Sequence, residues 1–360
     1  MPTLMSNQDV ADIQASLQDA GLLPYGLQDL EQVRLVLDGS SIVDWRQLSM
    51  VDLSQVDDFL ERLGILVSDP LDLKRLNSLY ESAMSYISTH SGLELDPIIA
   101  QLTDVRELFL LASRMGPSRP QACMTLKVMH IVHHAAGREL LYRLPVPISE
   151  LFYRIEAQMF EAMDGMKASG IRIAELAASR KAEHSIITKL LCRRDSQAAQ
   201  IHDRLRFRVV TETVDDIFAV LVYLCRNVIP FNYVVPGESR NELIDFPATL
   251  RSDPRLAPLA RMLQRIGDPE SESSRVNQFT ATSYRDINFV VDMAVRVDEW
   301  LKDMPGFQAE ASGQVVFLLV EFQLVSRSAH ETNNQGESRH SLYKARQRER
   351  AFRRLLCEDD

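Results

Sequence analysis

The stretch that most constrains this 360-residue chain is Val315-Val-Phe-Leu-Leu-Val-Glu-Phe-Gln-Leu-Val325. Its Val and Phe residues suit a strand, and it falls well short of the roughly 18 apolar residues that span a bilayer. Glu321 and Gln323 interrupt it two residues apart. Side chains alternate along a strand, so these two share a face. A carboxylate in the middle of so apolar a strand costs free energy unless it is paired or holds a metal. The other reading is that this face of the sheet is open to water. Either way the run belongs to a sheet, and its partner strands are to be sought elsewhere.

They are found in the second half of the chain. Leu205-Arg-Phe-Arg-Val-Val210 alternates apolar and basic side chains, a strand signature. Ile287–Val297 is a third strand candidate. Val214–Arg226 is apolar at helical spacing, and Asp215 and Asp216 favour a helix N-terminus. Residues 241–266 look helical in part, 268–277 form a polar loop, and 340–356 read as a basic helix.

The first 170 residues differ. Val51–Leu66, Asp72–Ile87 and Ser149–Met166 carry apolar residues at i, i+3 and i+4. Asp69-Pro70, Asp96-Pro97 and Pro117–Pro120 punctuate these runs, and no alternating segment occurs. Six to eight helices are expected here at the usual helix length of about 10–14 residues. The fold class is α+β. An all-helical domain (residues 1–170) precedes a mixed β-sheet flanked by helices (171–360), with every strand expected after residue 200.

The formal net charge is −10, which argues against a protein that coats nucleic acid, although a local basic patch is sufficient to bind it. Cys123, Cys192, Cys225 and Cys357 lie far apart without a CxxC, so neither a disulfide scaffold nor a zinc ribbon is expected. The opening residues lack a basic stretch followed by an apolar one. The expected location is therefore the cytoplasm, with no membrane span.

Three constellations suggest chemistry. Lys181, Ser185 and Lys189 are spaced i, i+4, i+8, and on one helix the two cations would stand about 12 Å apart. That spacing suits a polyphosphate, and it also suits a solvated basic face. Asp203 stands at the mouth of the 205–210 strand. Glu321 lies inside the apolar run. Carboxylates on neighbouring strands can hold Mg²⁺ together with substrate phosphates.

In this order the segments resemble the synthetase domain of the RelA/SpoT family over about residues 180–344. Arg180, Lys181, Ser185, Ile186 and Lys189 resemble its R-x-K-x-x-x-S-I-x-x-K segment, with the Arg displaced by one. Asp203-Arg-Leu-Arg-Phe-Arg208-Val is similar to D-x-x-A-x-R-I. Thr282-Ser-Tyr284-Arg-Asp-Ile-Asn288 is similar to N-G-Y-x-S-L-H, and Val320-Glu-Phe-Gln-Leu324 to V-E-I-Q-I. His330-Glu331, Gly336, His340 and Tyr343-Lys344 keep the spacing of the family's H-E-x-A-E-x-G-x-x-A-H-W-x-Y-K tail.

The resemblance implies a nucleotidyltransferase fold and transfer of pyrophosphate from ATP to a hydroxyl. It implies that Asp203 and Glu321 hold Mg²⁺, with Glu321 also helping to deprotonate the attacking hydroxyl. It places Arg180, Lys181, Lys189 and Arg208 on the ATP phosphates and Tyr284 on the acceptor base. The departures cluster on the acceptor side. The basic F-K-D-Y-I loop is missing, and residues 228–277 carry an insertion in its place. Thr282, Asn288, Val325 and Asn334 replace family residues, which leaves the acceptor unassigned.

His130, His133 and His134 cluster without the H…HD signature of the family's hydrolase domain. They read as a packed helix cluster, with His130 and His134 spaced so that they could share a metal. Two other functions remain open: a non-catalytic descendant that senses nucleotide or binds a partner protein, and a transferase acting on tRNA through the basic Arg339–Arg354 helix.

Overall fold

The computed structural model describes residues 27–39, 45, 48–192, 205–229, 231–244, 284–302, 314–334, 349 and 351–353. Among these, seven helices come first: α1 (Leu27–Asp38), α2 (Leu53–Arg62), α3 (Pro70–His90), α4 (Pro97–Ala100), α5 (Glu107–Ser113), α6 (Arg119–Arg143) and α7 (Ile148–Ala168). Local chemistry sets their ends. Asp69 caps α3 by accepting from the Leu71 amide, with Pro70 in the first turn. Leu76, Tyr80, Ala83 and Ile87 form its buried stripe. At the end of α7, Gly170 takes φ 83°. Its amide bonds Lys167 O and that of Ile171 bonds Met166 O, the two closing bonds of a Schellman turn.

The chain turns from helix to strand at that glycine. β1 (Ile173–Arg180) leads to α8 (Glu183–Cys192), β2 (Leu205–Thr211), α9 (Val214–Asn227) and a 3₁₀ turn (Phe231–Tyr233). Then come β3 (Arg240–Asn241), β4 (Ile287–Arg296), α10 (Asp298–Leu301), β5 (Val315–Ser326) and α11 (Arg327–Asn333). The fold is a mixed α/β arrangement on one five-stranded sheet of order β1-β2-β5-β4-β3. β2 and β5 run parallel, and the other pairs are antiparallel.

β2, β4 and β5 lie where the alternation and β-branched runs placed them, and α9 begins with a Thr213/Asp216 capping box. No described residue before Ile173 is in a strand, as expected. Two expectations are corrected. The sheet does not begin after residue 200, because β1 pairs with β2 from Ile173↔Thr211 to Arg180↔Leu205. Its Ile-Ala-Glu-Leu-Ala-Ala-Ser-Arg sequence favours helix by propensity, and pairing across the sheet overrides it. Nor does one helix carry both Lys181 and Lys189, since α8 starts at Glu183 and Lys181 precedes it.

The parity of the registers divides the sheet into two faces. On one, Phe207, Phe289 and Phe322 pack ring to ring, at 5.7 Å for Phe207–Phe322 and 5.2 Å for Phe289–Phe322. Ile217, Val220, Leu221 and Leu224 of α9 are buried in the same core, and α9 lies against β2 and β5. The other face is polar toward the C-terminal end of β5. Toward the start of β5 it is covered by α6, where Gly137 sits against Phe317 and the Val315 carbonyl. Asn241 ends β3, and residues 242–244 are not helical. The rest of the expected 241–266 helix, the 268–277 loop and most of the C-terminal basic helix lie outside the described residues; of the last, 349 and 351–353 are helical.

Candidate functional site

The open part of the polar face is built by cross-strand register. Arg206 stands opposite Glu321, and Arg208 opposite Gln323. On the far side of β5, Gln323 stands opposite Asn288, and Asn288 opposite Arg240 of β3. The face therefore carries a polar ladder across four strands. Gln323 shares it with Glu321, as the period of two requires.

Glu321 is only 7 % exposed. Its Oε2 accepts from Arg206 Nε at 2.9 Å and lies 2.8 Å from Nη2. Its Oε1 accepts from Asn288 Nδ2. The carboxylate is thus paired, which is what burial of a charge demands. Gln323 is oriented by its neighbours. Its Oε1 accepts from Arg208 Nε at 2.8 Å. Its Nε2 donates to Tyr284 Oη at 2.7 Å and to Asp286 Oδ2 at 2.6 Å. Asp286 is fully buried and also accepts from Arg240. The Arg240 guanidinium lies 5.7 Å from the centre of the Tyr284 ring, a cation–π contact. Burial, then the charge of Asp286, push the Tyr284 phenol above its ordinary pKa, against the pull of Arg208 and the Gln323 bond. Tyr284 therefore stays a neutral phenol, with Arg240 beside its ring.

Of the residues singled out from sequence, Glu321, Arg208 and Tyr284 meet in this ladder. Arg180 does not. It stands opposite Leu205, on the face away from Arg206. Its Nε and Nη2 each donate to Glu156 of α7 at 2.8 Å, and its guanidinium lies 4.0 Å from the Tyr153 ring centre. Lys181 lies in the turn before α8. Lys189 is in α8. Asp203, His340, Tyr343 and Lys344 lie outside the described residues.

Arg206 and Asp286 are site residues that the sequence reading left without a role, whereas Arg240 lies in the insertion from which an acceptor site could be rebuilt. Arg206 was within reach, because the Leu-Arg-Phe-Arg alternation puts it on the face of Arg208. Asp286 gives no such signal, since its partners Arg240 and Gln323 are remote in sequence.

The described residues do not by themselves make a Mg²⁺ cage. Both oxygens of Glu321 already have protein partners, and Asp203, the second expected ligand, lies outside them. Among the described residues, no group of three or more His, Cys, Asp or Glu side chains is placed to hold a metal ion. The histidine cluster lies on the face of α6 that packs against Phe317 of β5. His130 stacks parallel to His134 at 6.2 Å and lies 6.1 Å from Trp45. Its Nδ1 is 3.3 Å from Asn232 Nδ2. His133 Nδ1 is 3.4 Å from Tyr233 Oη. Burial first, then the neighbouring histidines, lower His130 to about 3 and His133 to about 4. Among the described residues, no helix is long and apolar enough to cross a membrane.

No family model matches the sequence, and no curated protein matches it. The solved structures similar to the chain include the following three. The small alarmone synthetase 1 from Bacillus subtilis bound to its product pppGpp is 14 % identical with a TM-score of 0.35, and the match covers 61 % of this chain and 93 % of that one. The small alarmone synthetase 2 from Bacillus subtilis is 13 % identical with a TM-score of 0.29, covering 59 % and 90 %. A GTP pyrophosphokinase family protein from Streptococcus pneumoniae is 15 % identical with a TM-score of 0.28, covering 58 % and 89 %. These are the kinds of protein that the sequence motifs resemble, and likenesses this distant fix no activity.

Proposed function

We propose that the chain is a cytosolic pyrophosphotransferase that moves pyrophosphate from ATP–Mg²⁺ to a hydroxyl of a nucleotide or RNA acceptor. The observation that carries this reading is the ladder itself. Two arginines, a carboxylate, a glutamine and a tyrosine, each matching or adjoining a RelA/SpoT-like motif, converge on one sheet face. In-line attack on phosphorus needs charge neutralisation and positioning more than covalent chemistry. Arg206 and Arg208 supply fixed positive charge, held in place by Glu321 and Gln323. Tyr284 offers a ring for an acceptor base. Bound with the ATP phosphates, Mg²⁺ would supply further charge neutralisation there. Lys181 and Lys189 join the donor side by resemblance, while Arg180 is held by Glu156 on the other face of the sheet.

The test is a mass spectrum of nucleotides after the full chain has been incubated with ATP–Mg²⁺ and a mixture of GDP, GTP, ATP and tRNA. AMP and an acceptor heavier by one pyrophosphate are expected. Arg208→Ala should weaken ATP binding roughly ten- to a hundredfold, as loss of a charged contact worth about 1.5–3 kcal/mol requires. Glu321→Gln should leave most nucleotide binding and abolish transfer. Failure of the folded protein to bind any nucleoside triphosphate would sink the reading.

One observation favours a second reading. Both Glu321 oxygens are already engaged, which suits a non-catalytic module that binds nucleotide without transferring anything. Nucleotide binding with no AMP formed would select it.

A further inference from the structure

We infer that His134 and Asp292 form the proton-accepting pair for the attacking hydroxyl, a role that rests on the transferase reading above. Asp292 stands opposite Leu319, and Glu321 opposite Val290. Asp292 and Glu321 are therefore diagonal neighbours on one face of the β4–β5 pair. Asn288 occupies the other diagonal and bonds Glu321. Glu321 is closed by Arg206 and Asn288, so it is a poor candidate to take a proton. Asp292 is not closed. Its Oδ2 meets Nε2 of His134, while its Oδ1 is buried with no hydrogen-bond partner.

The pair has the build of an orienting acid and a working base. The Asp292 side chain is 5 % exposed and that of His134 is 29 % exposed. A neutral imidazole that donates Nε2–H to a carboxylate carries its lone pair on Nδ1. The carboxylate then holds the ring in that tautomer and steadies the imidazolium once it forms. Among the described residues, the titratable groups around His134 are Asp292 from β4, Tyr233 from the 3₁₀ turn, and His130 and His133 of α6; β5 offers the Phe317 ring. Burial disfavours the charged forms of His130, His133 and Tyr233.

In the step, the acceptor O–H proton passes to His134 Nδ1. The acceptor oxygen forms a bond to the β-phosphorus of ATP, and the bond from that phosphorus to the α–β bridging oxygen breaks. AMP leaves, and the imidazolium later gives its proton to solvent. His134 touches the reacting hydroxyl, and Asp292 is a positioning residue.

The experiment uses the full chain in two arms. In the first, side-chain NMR follows the histidines while a non-hydrolysable ATP analogue with Mg²⁺ and then GTP are added. The His134 ring signals should shift. Nucleotide binding with unmoved His134 signals overturns the pair alone, whereas absence of binding removes the transferase reading and the pair with it. In the second, kcat and KM are measured against pH. His134→Gln should lower kcat by about 10²–10⁴-fold, hold KM within about twofold, and erase the loss of rate on the acid side. Asp292→Asn should lower kcat less and displace that acid limb. His134→Asn is the second variant, and melting temperatures check the fold of each. A folded His134 variant with the wild-type rate and acid limb refutes the inference.

Discussion

Glu321 and His130 are both more than nine-tenths buried, and the two side chains meet that cost differently. Glu321 is met by hydrogen bonds from Arg206 and Asn288. Among the described residues His130 has no acidic partner, and burial first, then the neighbouring histidines, lower its pKa to about 3; burial and His134 lower His133 to about 4. Unfolded, both rings titrate near 6.5. Between about 4 and 6.5 the unfolded chain therefore binds more protons than the folded one, and stability rises with pH across that window. Above 6.5 the contribution is fully present. As pH falls below 6.5 each ring removes up to about 1.4 kcal/mol per pH unit. The expected outcome is a lower urea midpoint at pH 5 than at pH 7, with a smaller difference in His130→Gln. An unchanged pH dependence in that variant would show that His130 is not the group. Sequence alone spoke for part of this level. The alternation of Leu205–Val210 put Arg206 and Arg208 on one strand face, and the Glu-x-Gln spacing put Glu321 and Gln323 on another; register joins the two pairs on one sheet face. The closure of Glu321 by Asn288 and the burial of Asp286 depend on strand register, which no local pattern encodes.

At the scale of elements, long apolar strands and capped helices were legible, because one periodic signal or one Asp-Pro start determines each. β1 was not. An Ala-rich segment carries no strand signal of its own, and it becomes a strand through the partner that β2 provides. The approach of α6 to β5 was equally hidden, since it depends on the absence of a side chain. A Cβ at Gly137 would lie 2.6 Å from the Phe317 ring and 2.8 Å from the Val315 carbonyl oxygen. Neither atom is the free end of a flexible chain. Gly137→Ala gains helix propensity of about 1 kcal/mol, but overpacking costs about 1–3 kcal/mol. The net result should be destabilisation, read as a lower denaturant midpoint with an unchanged slope. Because Phe317 also touches His133, His134 and Tyr233, the same variant should disturb the His134 ring signals. A stabilised Gly137→Ala protein would show that α6 stands off the sheet.

Across the whole molecule, the buried apolar residues of the helices and of the sheet form one cluster, from Val33 and Trp45 through Met159 to Phe322. Arg296, at the end of β4, adds a polar tie across the same boundary. It donates to Asp72 of α3, to the Gly64 carbonyl at 2.8 Å, to Asp298 at 2.7 Å and to Gln314 at 3.1 Å. Asp72 is 2 % exposed and also accepts from Arg75 and the Leu66 amide. Removing Arg296 therefore leaves the aspartate weakened rather than bare, and a loss of about 1.5–3 kcal/mol is expected for Arg296→Ala. Lysine should recover little of it, because one ammonium cannot replace a planar fork that reaches four partners. The two tryptophans allow the consequence to be followed on each side. Trp45 packs among Phe59, Phe109 and His130 on the helical side. Trp300 lies in α10 just after β4, under the guanidinium of Arg154. Two single-tryptophan proteins, each unfolded in urea, should give the same midpoint, as one cooperative unit requires. Arg296→Ala should lower both midpoints together. Separate midpoints, or a shift confined to one tryptophan, would mean that the helices and the sheet unfold as two units divided near Gly170.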